Sequence, residues 1–203
     1  MGGKYGDGRR RSRKEIERAA ASMTLAVEEL VGTFYIYTAG SYRRGKEEMG
    51  DVEIVVDYGS EVARRRILNA WGQDPVQKNG RPRYEFTFVV DGLQFDVGLA
   101  TKKFLGAMLL AKTGSASFNL LLRCRARQFG YLLNQYGLFE KAGDREPDYI
   151  IASGRGKGSR WVRVAGRTEE KIFAALGLKY MPPQEREVES AEAGWALLQK
   201  WEA

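Results

Sequence analysis

The chemistry this sequence could carry rests first on Asp51, Glu53 and Asp96. Asp51 and Glu53 are alternate residues of the run DVEIVVD (51–57), and a β-strand turns alternate residues to one face, so the two carboxylates share a face. Asp96 falls inside a second β run, 93–100, which follows the run 84–90 across Asp91-Gly92, the strongest short hairpin signal a sequence offers. Such a strand can lie beside the first. Three carboxylates placed so could hold two Mg2+ ions, or Mn2+, to activate a hydroxyl nucleophile and stabilise a leaving phosphate. An acid-x-acid pair alone is weak evidence and reads more readily as a solvated strand face. Here it is preceded by Gly40-Ser41, a turn whose amides and hydroxyl can hold phosphates, with Arg43, Arg44 and Lys46 close behind to neutralise them.

Composition narrows the alternatives. The 203 residues include no histidine, which excludes Ser-His-Asp and Cys-His nucleophile systems and imidazole zinc sites, whereas carboxylate-held metals need none. A single cysteine, Cys124, excludes an internal disulfide and fits a reducing, cytoplasmic setting, with a nucleoid or viral replication site as variants; secretion is not expected. The formal net charge of +7 favours a polyanionic partner. No run approaches the roughly 20 apolar residues of a membrane span, so no membrane partner is expected.

The elements that must position these residues follow from periodicity. Residues 1–12 are Gly- and Arg-rich without apolar spacing and read as a flexible basic tail. Ile16, Ala19, Ala20, Met23, Val27, Leu30 and Val31 recur at three- and four-residue steps, predicting a helix that ends near Gly32. A buried strand is expected over 33–38, leading into the Gly-Ser turn, then the acidic strand, a basic helix over 61–71, a loop over 72–82 and the hairpin. Two helices follow over 102–112 and 115–130, the second capped by Ser115, then a short strand at 131–134. A Gly-rich basic stretch over 153–160, an apolar-alternating run at 161–164 and a helix capped by Thr168 complete the pattern, with Pro182 and Pro183 as its stop.

The segment Gly-Ser-Tyr-Arg-Arg-Gly-Lys-Glu-Glu-Met-Gly-Asp-Val-Glu (40–53) resembles the palm motif GS-x-RRG-x-x-x-x-GD-x-D of family X DNA polymerases, within the nucleotidyltransferase superfamily. Leu-Gln-Phe-Asp-Val (93–97) is similar to the strand bearing that family's third aspartate. Lys-Thr-Gly-Ser (112–115) with Phe118, Asn119 and Arg123 is similar to its TGS-x-x-FN-x-x-x-R segment, and 130–138 and 168–183 resemble its thumb. The resemblance implies an α+β fold: a palm with a mixed sheet flanked by helices over 13–112, and a smaller α/β thumb over 113–203. It implies that Asp51, Glu53 and Asp96 are catalytic and ligate two Mg2+ or Mn2+ ions. It also implies that Gly40, Ser41, Arg44 and Gly50 hold the triphosphate, that Gly114, Ser115 and Asn119 meet the nucleotide, and that Arg123 meets the template.

The implied activity is templated addition to a DNA 3′ end across a short gap, on a primer–template or gapped duplex, with dNTP or rNTP and the chain as a monomer. Template-independent or RNA transfer, and a catalytically weakened nucleic-acid-binding protein, are the alternatives. Four departures bear on this. Glu53 stands for the usual aspartate, Gln94 for an arginine, Met49 for a serine, and Ala111-Lys112 for an aromatic pair that disfavours ribonucleotides, so weak sugar discrimination is expected. Only a tail, a helix and a strand precede Gly40, as in the short viral members, so no lyase domain is expected. DNA grip is then sought in the tail, Arg64 to Arg66, the series Arg123, Arg125 and Arg127, and the stretch 153–167 with Arg155, Lys157, Arg160, Arg163 and Arg167, where Trp161 could stack on a base.

Overall fold

The computed structural model describes residues 6–32, 35–77, 82–153 and 156–203. The chain divides into two compact units, Met1–Lys102 and Lys103–Ala203.

In the first unit β1 (Arg11–Ser12) leads directly into α1 (Arg13–Val31). Ser12 and Glu15 form a reciprocal capping box at the helix start, and Gly32, at φ 76°, ends it. Ile16, Ala20, Met23 and Val27 make its buried face. β2 (Tyr35–Thr38), the short α2 (Gly40–Arg43), β3 (Glu48–Met49) and β4 (Asp51–Asp57) follow, then α3 (Glu61–Ala70) and the hairpin of β5 (Glu85–Val90) and β6 (Leu93–Ala100). The sheet order is β2-β4-β6-β5, with β4 parallel to β6 and the outer pairs antiparallel. Val52, Ile54 and Val56 of β4 and Phe95, Val97 and Leu99 of β6 share one core with α1 and with Ile67 and Leu68 of α3. Strand alternation therefore turns Asp51, Glu53 and Asp96 to the opposite face.

The second unit starts with α4 (Leu105–Thr113) and α5 (Ala116–Gln128), capped by Ser115. β7 (Leu132–Asn134), β8 (Gly137–Lys141), β9 (Tyr149–Ser153) and β10 (Gly156–Ala165) form an antiparallel sheet in the order β7-β8-β10-β9. α6 (Glu169–Ala175) and α7 (Ala191–Lys200) complete it. Leu110, Phe118, Leu122, Leu138, Phe173 and Leu198 lie in its core. α4, which the sequence reading assigns to the palm, packs here: the Gly106 amide donates to Arg167 O at 3.1 Å, and a Cβ on Gly106 would run into the Thr168 backbone.

Several expectations need correction. Residues 6–12 are held rather than free: β1 pairs antiparallel with β3, and the Asp7 amide donates to Gly92 O at 2.8 Å. The described part of the strand expected over 33–38 is an edge strand with Tyr35 60% exposed, because among the described residues only β4 flanks it. The stretch expected as a Gly-rich loop enters β10, whose partners β8 and β9 the sequence reading leaves out. β8 bonds to β10 across the intervening β9, with Leu138 opposite Ala165, which local pattern does not reveal, whereas β9 is the sequence neighbour of β10, with Tyr149 opposite Trp161. α6 ends before Leu176 and Gly177 (φ 66°), not at the prolines, and α7 is a further helix capped by Ser190.

Candidate active site

The parallel register of β4 and β6 sets Asp51 opposite Gln94 and Glu53 opposite Asp96. All four side chains are half-buried on the face turned away from the core. Asp96 is held by two neutral donors: Thr87 Oγ1, its cross-strand neighbour on β5, donates to Oδ1, and Gln94 Nε2 donates to Oδ2 at 2.8 Å. Thr87 is a part of the site that sequence reading misses, since only the hairpin register sets it beside Asp96. Gln94, read from sequence as a lost charge, supplies one of these bonds.

The Gly40-Ser41 turn is built against the same strand. The Ala39 amide donates to Glu53 O at 2.7 Å, and Gly40, at φ 59°, opens α2. A Cβ at position 40 would overlap the Glu53 carboxylate and stand 2.9 Å from Glu53 Cβ, so glycine is required there for both conformation and space. Arg44 Nη2 donates to Ser41 Oγ at 3.1 Å, which sets a cation and a hydroxyl side by side in the turn. Arg13, from the first turn of α1, braces this segment: Nη1 donates to Tyr42 O at 3.0 Å and Lys46 O at 3.2 Å, and its guanidinium lies 4.2 Å from the Tyr42 ring centroid. Tyr42 donates its hydroxyl to Glu17 at 2.8 Å, which with partial burial raises its pKa. Gly50 is exposed between β3 and β4.

In the second unit Gly114 (φ 70°) and Ser115 join α4 to α5; Ser115 Oγ accepts from the Phe118 amide at 3.3 Å, while its own amide donates to Arg186 O at 3.2 Å. Asn119 Nδ2 donates to Ala111 O at 2.7 Å, and Arg123 is exposed one turn further along α5. The basic residues divide sharply. Arg64 is 2% exposed and bonds to Glu61, Pro75 O and Arg83 O, and Arg125 is buried on Leu176 O and Glu202, so neither is available to a polyanion. Arg65, Arg66, Arg127 and Arg167 are exposed. Arg160 is tied to Arg145 O at 3.2 Å, and Arg163 to Tyr136 O at 2.8 Å. Trp161 carries Lys141 Nζ 4.4 Å above its ring centre. Arg155 lies outside the described residues, as does the Lys157 side chain.

This arrangement has known counterparts. The DNA polymerase beta palm family matches residues 10–126, and the DNA polymerase beta thumb family matches residues 108–187. The chain belongs to the family X DNA polymerases. DNA polymerase lambda of Arabidopsis thaliana is 26% identical over 198 residues, covering 86% of this chain and 36% of that protein. The chain thus spans about a third of that relative's length. The polymerase beta of Leishmania infantum in a ternary gap complex superposes with a TM-score of 0.68 at 23% identity, over 89% of this chain and 71% of that one. Its ternary P/T complex gives 0.65 at 22% identity, over 89% and 77%. The family X palm and thumb fold, expected from the motifs, is the fold observed.

Divalent metals accompany this family. The donor set present suits them in kind: all-oxygen carboxylates on one face of two adjacent strands. Among the described residues no three acidic or cysteine side chains stand grouped to hold an ion as they lie; the Glu53 carboxylate lies against Gly40, and both Asp96 oxygens accept hydrogen bonds. Also among the described residues, no helix is long and apolar enough to cross a membrane.

Proposed function

We propose that this chain is a two-metal nucleotidyltransferase that adds nucleotides to a DNA 3′ end, templated across a short gap. The observation that carries the reading is the direct register of Glu53 with Asp96 on a face that also bears Asp51, beside a Gly40-Ser41 turn braced by Arg13. Family membership and the likeness to polymerase beta complexes with DNA support it.

In this reading Asp51, Glu53 and Asp96 hold two Mg2+ or Mn2+ ions, which when bound supply charge stabilisation for in-line attack on the α-phosphate. Thr87 and Gln94 orient the Asp96 carboxylate. Gly40, Ser41, Arg44 and Gly50 receive the triphosphate through amides, a hydroxyl and a guanidinium. Gly114, Ser115 and Asn119 border the nucleotide, and Asn119 exchanges its bond to Ala111 O for the base edge. Arg123, Arg155, Lys157 and Arg160 contact the DNA backbone. The chain acts as a monomer. Ala111-Lys112, in place of an aromatic pair, leaves the sugar 2′ position unguarded, so dNTP and rNTP are both used.

The test is primer extension on single-nucleotide-gapped, recessed and blunt DNA, with Mg2+ or Mn2+ and with dNTP and rNTP in competition, beside Asp96→Ala. Templated addition lost in Asp96→Ala supports the reading. Addition without a template moves it to terminal transfer. No addition by the unaltered chain with DNA binding intact moves it to a binding protein, for which the engaged Asp96 and folded Glu53 would be the reason.

A further inference from the structure

Composition alone makes residues 6–12 a tail, yet they cross the end of the sheet at which the carboxylates stand. We infer that this segment is a positioning staple, which holds the first rungs of β4 and β6 together from outside the sheet with the Asp7–Arg11 pair as its pin. The inference rests on the carboxylates being the reacting site. That site has a mechanical weakness: the β4/β6 ladder starts at Asp51 opposite Gln94, and strand ends are where sheets open most readily.

The staple grips both sides of that end. Toward β4, Arg11 pairs with Met49 and Ser12 with Glu48, and only Gly50 separates Met49 from Asp51. Toward β6, the Asp7 amide donates to Gly92 O at 2.8 Å, and Gly6 lies so near that a Cβ on it would stand 2.6 Å from Gly92 O and 3.3 Å from the Gln94 amide nitrogen. Between the two grips the Asp7 carboxylate takes both terminal nitrogens of Arg11, each at 2.7 Å. Arg11 Nη1 also donates to Arg9 O at 2.8 Å, and the residue is 7% exposed. Gly92 serves twice: its φ of 73° makes the hairpin turn, and its missing Cβ, which would stand 3.0 Å from Asp7 Cγ, admits the staple. The palm family's match begins at residue 10, so Gly6 and Asp7 lie outside that pattern.

Two variants of the full chain test this. Asp7→Ala removes the pin, and Gly6→Val pushes the segment off Gly92 without touching a charge. Amide hydrogen exchange is compared over 48–53 and 92–96 against the mid-sheet amides 54–56 and 97–99. Mn2+ affinity is read by electron paramagnetic resonance, and kcat and KM by primer extension. The expected result is exchange about tenfold faster at the end rungs alone, weaker Mn2+ binding, and kcat lower by roughly tenfold at unchanged KM for DNA. Unchanged exchange at the end rungs overturns the inference, as does faster exchange with Mn2+ affinity and kcat both unaltered. An unaltered chain that adds no nucleotide would sink the transferase reading and leave the exchange and Mn2+ measurements to decide the staple.

Discussion

Replacing Arg186 by methionine should destabilise the second unit by about 3–5 kcal/mol, the usual cost of removing one partner from a buried ion pair. Arg186 is fully buried, and Nη1 donates to Glu169 Oε1 at 2.7 Å, with the Glu169 side chain only 5% exposed. The remaining donors reach Met181 O at 3.0 and 2.7 Å, and the guanidinium lies 5.2 Å from the Phe173 ring centre and 5.5 Å from that of Tyr180. Methionine fills most of the volume, so the loss is mainly that the buried Glu169 carboxylate keeps the Tyr180 hydroxyl but no longer has its guanidinium, and that Met181 O loses the donors of Arg186. Glu169→Gln should cost less, because the amide oxygen still accepts from Arg186. The double change Arg186→Met with Glu169→Leu should recover much of the loss, since an apolar pair in place of a buried ion pair is commonly neutral or stabilising. Urea unfolding followed by the fluorescence of Trp161, Trp195 and Trp201, all in the second unit, measures it. The consequence reaches the candidate site through the backbone, because Arg186 O accepts from the Ser115 amide at 3.2 Å and so ties down the Gly114-Ser115 turn. The KM for nucleotide should therefore rise in Arg186→Met even at temperatures where the unit stays folded. A loss below about 1 kcal/mol, or a double variant as unstable as the single one, would refute the account of this pair.

Other perturbations probe the first unit. Thr87→Val should lower kcat roughly ten- to a hundredfold, the rate equivalent of a hydrogen bond to a charged group, while Thr87→Ser retains activity in single-turnover incorporation. Gly40→Ala should abolish incorporation and destabilise by about 1–2 kcal/mol from the left-handed backbone alone, with a further loss from collision with Glu53; thermal melts and extension assays read both. The Arg11 guanidinium and the Arg9 amide hold the Asp7 carboxyl at about 2, below its ordinary 3.8. A lowered folded value means that its contribution is complete above pH 3.8 and fades as pH falls toward about 2, so Asp7→Asn should flatten that part of the acid unfolding curve. Ser12→Ala, which breaks the capping box of α1, should cost about 1 kcal/mol in urea unfolding of the chain.

What the sequence determined by itself is local. The strand 51–57, the Asp91-Gly92 hairpin, the helix ending at Gly32 and the caps at Ser115 and Thr168 stand where their patterns predict them, because each is set by residues a few positions apart. The shared face of Asp51 and Glu53 follows from strand alternation alone, and the palm and thumb family was legible in the motifs. Tertiary structure decided everything that depends on a distant partner. The parallel register brought Asp96 opposite Glu53, the hairpin register added Thr87, and the edge position exposed β2. Arg64, Arg125 and Arg186 carry the same charge and lie in the same basic composition as Arg65, Arg66 and Arg123, yet the first three are buried on carbonyls and carboxylates while the others face solvent. A guanidinium satisfies its donors equally well with water, phosphate or protein oxygens, so its type says nothing about which it meets. Residues 6–12 make the same point, since a segment with no apolar periodicity is fixed by backbone bonds to β3 and Gly92 and by the Arg10–Glu48 pair, partners that only the folded chain supplies.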